Sequence, residues 1–206
     1  MIVSGPTGSG KTQFVMRLID HAKTIVSPPP ENIMYCYTEY QPETFEPYRF
    51  RGVQFYSGVP SLDIFDGKVR TLLVLDDLMS QVDENISNMF TRGSHHRGIS
   101  VVFIVQNLFQ KNPHARTISL NSQYIVLYKN PRDVHQFSVL ARQMGINAKF
   151  AREAFQLATS EPHTYLLVDL KPETNDNYRL RANIFPGEQT HVYVDRLLYK
   201  PDNLLK

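Results

Sequence analysis

The chain has 206 residues, with 22 Lys and Arg against 20 Asp and Glu and a formal net charge of +2. That length suits one well-packed domain, and the near balance of charge excludes the strongly basic or acidic chains whose partner can be named from composition alone. One cysteine, Cys36, excludes an internal disulfide framework and suits a reducing compartment, and no apolar run approaches the roughly 20 residues that a bilayer crossing needs. A soluble, intracellular protein is expected, with a strand and loop rather than a signal peptide at its start.

Residues 1–4 read as a short strand and 11–23 as a helix, joined by Gly5-Pro6-Thr7-Gly8-Ser9-Gly10-Lys11-Thr12. Strand-like runs follow at 33–38, 53–56 and 71–77, then a helix over 80–91, a strand over 99–106, a strand over 123–129 and a helix over 132–144. Such alternation marks crossover units around a mostly parallel sheet, so the fold class is α/β. The stretches 27–30 and 42–47 are rich in Pro and read as turns. Leu72-Leu73-Val74-Leu75 and Val101-Val102-Phe103-Ile104-Val105 are apolar without alternation, as central strands covered on both faces are, and both are expected beside the first strand. After residue 160 the pattern turns to short strand-like pieces at 164–170, 178–184 and 191–194. The expected organisation is one domain, with a core over 1–160 and a strand-rich extension over 161–206 that adds antiparallel strands or lies on a neighbouring subunit.

The eight-residue loop carries the strongest chemical signal. Its glycines let backbone N–H groups turn inward around an anion, and the helix that follows points its positive end at the same place. Gly5 through Thr12 are therefore expected to bind ATP, with Lys11 on the β- and γ-phosphates and the Thr12 hydroxyl on Mg2+. The apolar strand at 72–75 delivers Asp76 and Asp77 to the carboxyl edge of the sheet, where α/β proteins bind ligands. Asp76 is expected on the metal side and Asp77 as the group that orients or deprotonates the attacking water; the alternative makes Asp77 the cap of the 80–91 helix. Gln106, at the tip of the 99–105 strand, is expected to touch both the γ-phosphate and the water; otherwise it is an exposed turn residue, with Asn107 as a weaker substitute.

From Asn85 to Arg132 there is no Asp or Glu, whereas Arg92, Arg97, Lys111, Arg116, Lys129 and Arg132 fall within this span. It is expected to form an electropositive region near the catalytic edge. Either an arginine reaches into a neighbour's site, for which Arg92 and Arg97 are the candidates, or several line a channel for a phosphate backbone, or the span is a solvated basic face. His95 and His96 lack partners at metal-ligand spacing, so contact with nucleic acid or a neighbour is expected of them. Tyr35, Tyr37, Phe103, Phe109 and Cys36 fit core packing and are assigned no function.

The order of phosphate loop, 72–77 strand with its two acids, arginine-bearing connection and strand ending in Gln106 resembles the FtsK–HerA superfamily of ring-forming DNA pumps, over about residues 1–145. Residues 91–100, 106–109 and 116–122 look more closely like the genome-packaging ATPases of double-stranded DNA viruses and virus-like polinton elements. The resemblance implies a RecA-like P-loop NTPase fold of the additional-strand class, with helices flanking the sheet and extra C-terminal strands. It implies ATP hydrolysis with Mg2+, a homo-oligomeric ring of five or six copies, and double-stranded DNA and capsid proteins as partners. The setting implied is the host cell of a virus or virus-like element, or the virion, with no membrane. Lys11, Thr12, Asp76, Asp77 and Gln106 each match a motif of the superfamily, although its cellular members carry Glu where Asp77 stands; Arg92, Arg97, Arg116 and Arg132 all remain open as the finger. The rivals are a small-molecule kinase, whose arginine-rich lid is not found here, and a switch that binds ATP without using it as fuel.

Overall fold

The computed structural model describes residues 1–78, 81–93, 96–109, 112–133 and 135–195. They form two compact units that divide between Ser122 and Gln123. In the first unit five strands run parallel: β1 (Ile2–Ser4), β2 (Asn32–Tyr37), β3 (Gln54–Ser57), β4 (Thr71–Asp76) and β5 (Ile99–Val105). Their order is β3-β2-β4-β5-β1. The expected neighbour of β1 is thus half correct: β5 pairs with it, and β4 lies one strand further in. Leu73, Val74 and Leu75 are fully buried, as the unbroken apolar run requires of a strand packed on both faces.

The helices of this unit are α1 (Lys11–Asp20), α2 (Ala22–Ile25), α3 (Pro42–Arg49), α4 (Glu84–Asn88) and α5 (Pro113–Leu120). The amphipathic spacing of α1 buries Phe14, Val15, Leu18 and Ile19. The predicted turn at 42–47 is instead α3. Pro42 occupies its first turn, where no N–H is needed, and the fully buried Phe45 anchors it despite the donor missing at Pro47. The predicted helix at 80–91 shrinks to α4, capped by Asp83, whose carboxylate accepts from the N–H of Ile86 at 3.1 Å. A single wide π turn, Met89–Gly93, extends it. Ser80, His95 and Lys111 lie outside the described residues.

The second unit pairs β6 (Tyr124–Tyr128), β7 (Tyr165–Asp169), β8 (Leu180–Ala182) and β9 (His191–Tyr193) antiparallel in that order. Helices α6 (Gln136–Gln143) and α7 (Ala148–Ala158) pack against each other; the predicted helix at 132–144 is shorter than expected, and α7 was not foreseen. Among the described residues no helix is long and apolar enough to cross a membrane. Cys36 is fully buried in β2, and burial pushes its thiol up to about 12, so it is core as expected.

Residues 96–98, which lead into β5, lie close against the loop before β4. Gly67 has φ +79°, and a Cβ there would lie 2.9 Å from the backbone oxygen of His96. Gly52 has a similar φ of +86° with open space around it. Both Gly→Ala changes incur the left-handed backbone cost of about 1–2 kcal/mol. Only Gly67→Ala adds the clash, so thermal denaturation is expected to show it less stable than Gly52→Ala by a further ~1 kcal/mol or more; equal losses would mean that the contact yields freely.

Candidate functional site

The parallel register sets the site. Ser4 of β1 pairs with Val105 of β5, and Asp76 of β4 with Ile104, so three strands end at one edge. The N–H of Gly5 still donates to the Val105 carbonyl at 3.2 Å, after which the loop leaves the sheet and closes on itself through Ser9 N–H to Pro6 O, also 3.2 Å. Gly8 and Gly10 take left-handed φ values of 76° and 103°, which turn the chain into the start of α1.

Within this turn Lys11 folds back over the loop. Its Nζ donates to the carbonyl oxygens of Gly5 at 2.8 Å and Pro6 at 2.9 Å. Burial pulls its pKa down, while the nearby carboxylates of Asp76 and Asp77 pull it up more weakly. Asp76 shows the mirror effect. Burial holds its carboxyl above the usual range, a bond from Tyr35 opposes that shift, the Asp77 charge adds to it, and Lys11 opposes it.

Beyond Asp76 the backbone bends abruptly. Asp77 has φ 53°, a conformation that a short polar side chain tolerates better than most, and the fully buried Leu78 pins the chain after it. Gln106 follows β5 at the same edge, and its Nε2 donates to Asp77 Oδ1 at a long 3.5 Å. With Asp83 capping α4, Asp77 is not the cap of that helix.

These side chains share one cavity of about 200 Å³, lined by Thr7, Gly8, Lys11, Thr12, Asp76, Asp77 and Gln106. Its character fits a magnesium nucleotide. An ammonium and a hydroxyl adjoin a carboxylate, and the Ser9 Oγ in the loop is buried without a hydrogen-bond partner.

Arg92 and Arg97 lie elsewhere. They precede β5, whose seven residues carry the chain roughly 20 Å from its start to the Gln106 edge. The expectation of a basic region beside the catalytic edge therefore fails for these two. They line a second, open groove of about 550 Å³ with Asp63, Glu84 and His96. Arg97 donates to the Phe65 carbonyl at 2.8 Å and stands 3.6 Å from Asp63, whereas Arg92 is exposed on the π turn. Arg116 is exposed on α5, and Arg132 is exposed in the turn before α6.

Two features escaped the sequence. The last residue of β2 and the segment after it bring Tyr37, Thr38, Glu39 and Gln41 to the cavity, because β2 lies parallel beside β4 and must end at the same edge. Tyr35, expected only to pack, donates its hydroxyl to Asp76 Oδ2 at 2.6 Å. The available signal was that a buried tyrosine needs a partner for its hydroxyl.

The raised Asp76 pKa gives a signed prediction. An acid whose folded pKa is raised contributes stability at low pH that is lost as pH climbs from about 3.8 through the folded value. Asp76→Asn removes the ionisation. It is expected to raise the Tm of the nucleotide-free protein near neutral pH, with the gap to wild type closing as pH falls toward 4. Thermal scans across pH check this, and a gap that widens on acidification would reverse the sign.

No family model and no curated protein matches the chain. Among solved structures it resembles the cytoplasmic domain of the Type VII secretion ATPase EccC of Thermomonospora curvata, with a TM-score of 0.53 and 14% sequence identity. The cytoplasmic domain of EssC also aligns, with a TM-score of 0.49 and 13% identity. Each alignment covers 94% of this chain, which spans only 25% of the EccC chain and 39% of the EssC chain. The likeness to EccC is one of fold: a mixed α/β fold with a glycine-rich loop between β1 and α1.

Proposed function

We propose that this chain is the ATP-hydrolysing subunit of a double-stranded DNA translocase. The observation that carries the proposal is the convergence of Lys11, Thr12, Asp76, Asp77 and Gln106 on one cavity at the carboxyl edge of the parallel sheet. A phosphate chain entering there would exchange the Gly5 and Pro6 carbonyls for its own oxygens on Lys11. Magnesium would be held by Thr12 and Asp76 and would neutralise charge on the β- and γ-phosphates. Asp77 orients the attacking water and accepts its proton, and Gln106, bonded to Asp77, senses whether the γ-phosphate is present.

Translocation, a ring of five or six copies and the packaging of a viral or virus-like genome into a capsid belong to the same proposal. They rest on the motif resemblance and on the acid-free basic span. EccC, a structure of like fold, is a secretion ATPase, so the fold by itself leaves the cargo open. In a ring, Arg92 or Arg97 would serve the site of a neighbouring copy, and the distance of both from their own site supports that role.

ATP turnover of the assembled protein, measured with and without long duplex DNA, is expected to be stimulated by the duplex; absence of both basal and stimulated turnover sinks the proposal. Asp77→Asn is expected to keep ATP binding and to lower turnover by about 10²-fold or more. Turnover within a few-fold of wild type would leave Asp77 as a turn residue alone.

A further inference from the structure

We propose that Tyr35 is a positioning residue for the metal side of the phosphate site, holding the Asp76 carboxylate in place through its hydroxyl. The inference rests on the assignment of Asp76 to magnesium made above. Its geometry begins with register. Tyr35 pairs with Val74 across β2 and β4, and Asp76 is two residues beyond Val74 on the same face. A tyrosine is long enough to run along that face to the carboxylate, and its hydroxyl reaches Asp76 Oδ2 at 2.6 Å.

The ring is not free to swing away. Tyr35 is fully buried, with the Phe45 ring centroid at 5.0 Å and that of Phe55 at 5.6 Å, and those two rings stack on each other at 4.7 Å. Phe45 comes from α3 and Phe55 from β3, so three elements fix the position of the hydroxyl. The bond engages Oδ2 and thereby sets the direction in which Oδ1 is presented. Phe45 also packs against Tyr37, which lines the cavity, so the same cluster supports both the carboxylate and the cavity wall. Groups that orient a metal-binding carboxylate in this way govern metal affinity without touching the ion.

The test measures the affinity of the full chain for a fluorescent, non-hydrolysable ATP analogue, with Mg2+ and with chelator, in wild type, Tyr35→Phe and Phe45→Leu. Tyr35→Phe is expected to reduce the magnesium-dependent gain in affinity about tenfold, with binding in chelator unchanged. Phe45→Leu, which loosens the packing but keeps the hydroxyl, is expected to lose less. A gain in Tyr35→Phe within twofold of wild type, or equal losses with and without Mg2+, overturns the role of Tyr35 alone. A wild-type protein with no magnesium-dependent gain overturns the assignment of Asp76, and this inference with it. Should Tyr35→Phe not fold, Mn2+ with ADP is expected to broaden the ring-carbon NMR signal of Tyr35 in the wild-type chain, and an unbroadened signal overturns the proposal.

Discussion

Parallel pairing of β1, β5, β4 and β2 is the constraint on which the site depends. Because Ser4 is opposite Val105, Asp76 opposite Ile104 and Cys36 opposite Leu75, four chain segments leave the sheet together at one edge. A one-residue slip of β4 would turn Asp76 to the other face and away from Tyr35. Burial of both faces of β4 makes such a slip expensive, since Leu72 through Leu75 have no polar side to show to water. The side chains that line the cavity are thus held in register by residues that do not reach it.

The same burial creates an electrostatic conflict at the edge. It disfavours the charge on Lys11 and the charge on Asp76 alike, and their mutual attraction offsets only part of that cost. Lys11 finds further compensation in two loop carbonyls, and Asp76 in the Tyr35 hydroxyl. These partners differ in kind. The carbonyls are backbone groups of the phosphate loop itself, which an incoming anion would replace, whereas Tyr35 is walled in by aromatic rings and stays. The left-handed Asp77 adds a third departure from an ordinary strand end, in the position where stored backbone strain usually accompanies function.

Much of this was legible in the sequence where a feature has one physical cause. The glycine pattern before Lys11 permits few folds other than an anion loop, and the apolar runs ending at Asp76 and Gln106 identify central strands and the edge at which they end. Features with competing causes were not legible. Two prolines within six residues suggested a turn, yet Pro42 in a helix's first turn is harmless and Phe45 fixes the rest. Tyr35 reads as a core residue, and so it is; only the strand order, which no local pattern contains, gives its hydroxyl a carboxylate to meet. The position of the acid-free span was not legible for a related reason: the span places Arg92 and Arg97 close to Gln106 along the chain, and β5 carries the chain from one end of the sheet to the other.

That separation shapes how the two ends of the sheet can cooperate. Arg97 is tied to the Phe65 carbonyl and to Asp63, and Gly67 lies close to the His96 backbone, so these contacts keep Arg97 at its own end of the sheet. A cation fixed roughly 20 Å from the cavity of its own chain cannot swing to a phosphate bound there. If such an arginine neutralises charge during hydrolysis, the phosphate must belong to another copy, and catalysis then requires assembly. A solitary copy would retain the loop, the carboxylates and Gln106, and hence nucleotide binding, while lacking one charge that the reaction needs. Under this arrangement the rate of hydrolysis reports how copies sit against one another, which is the coupling a translocase requires.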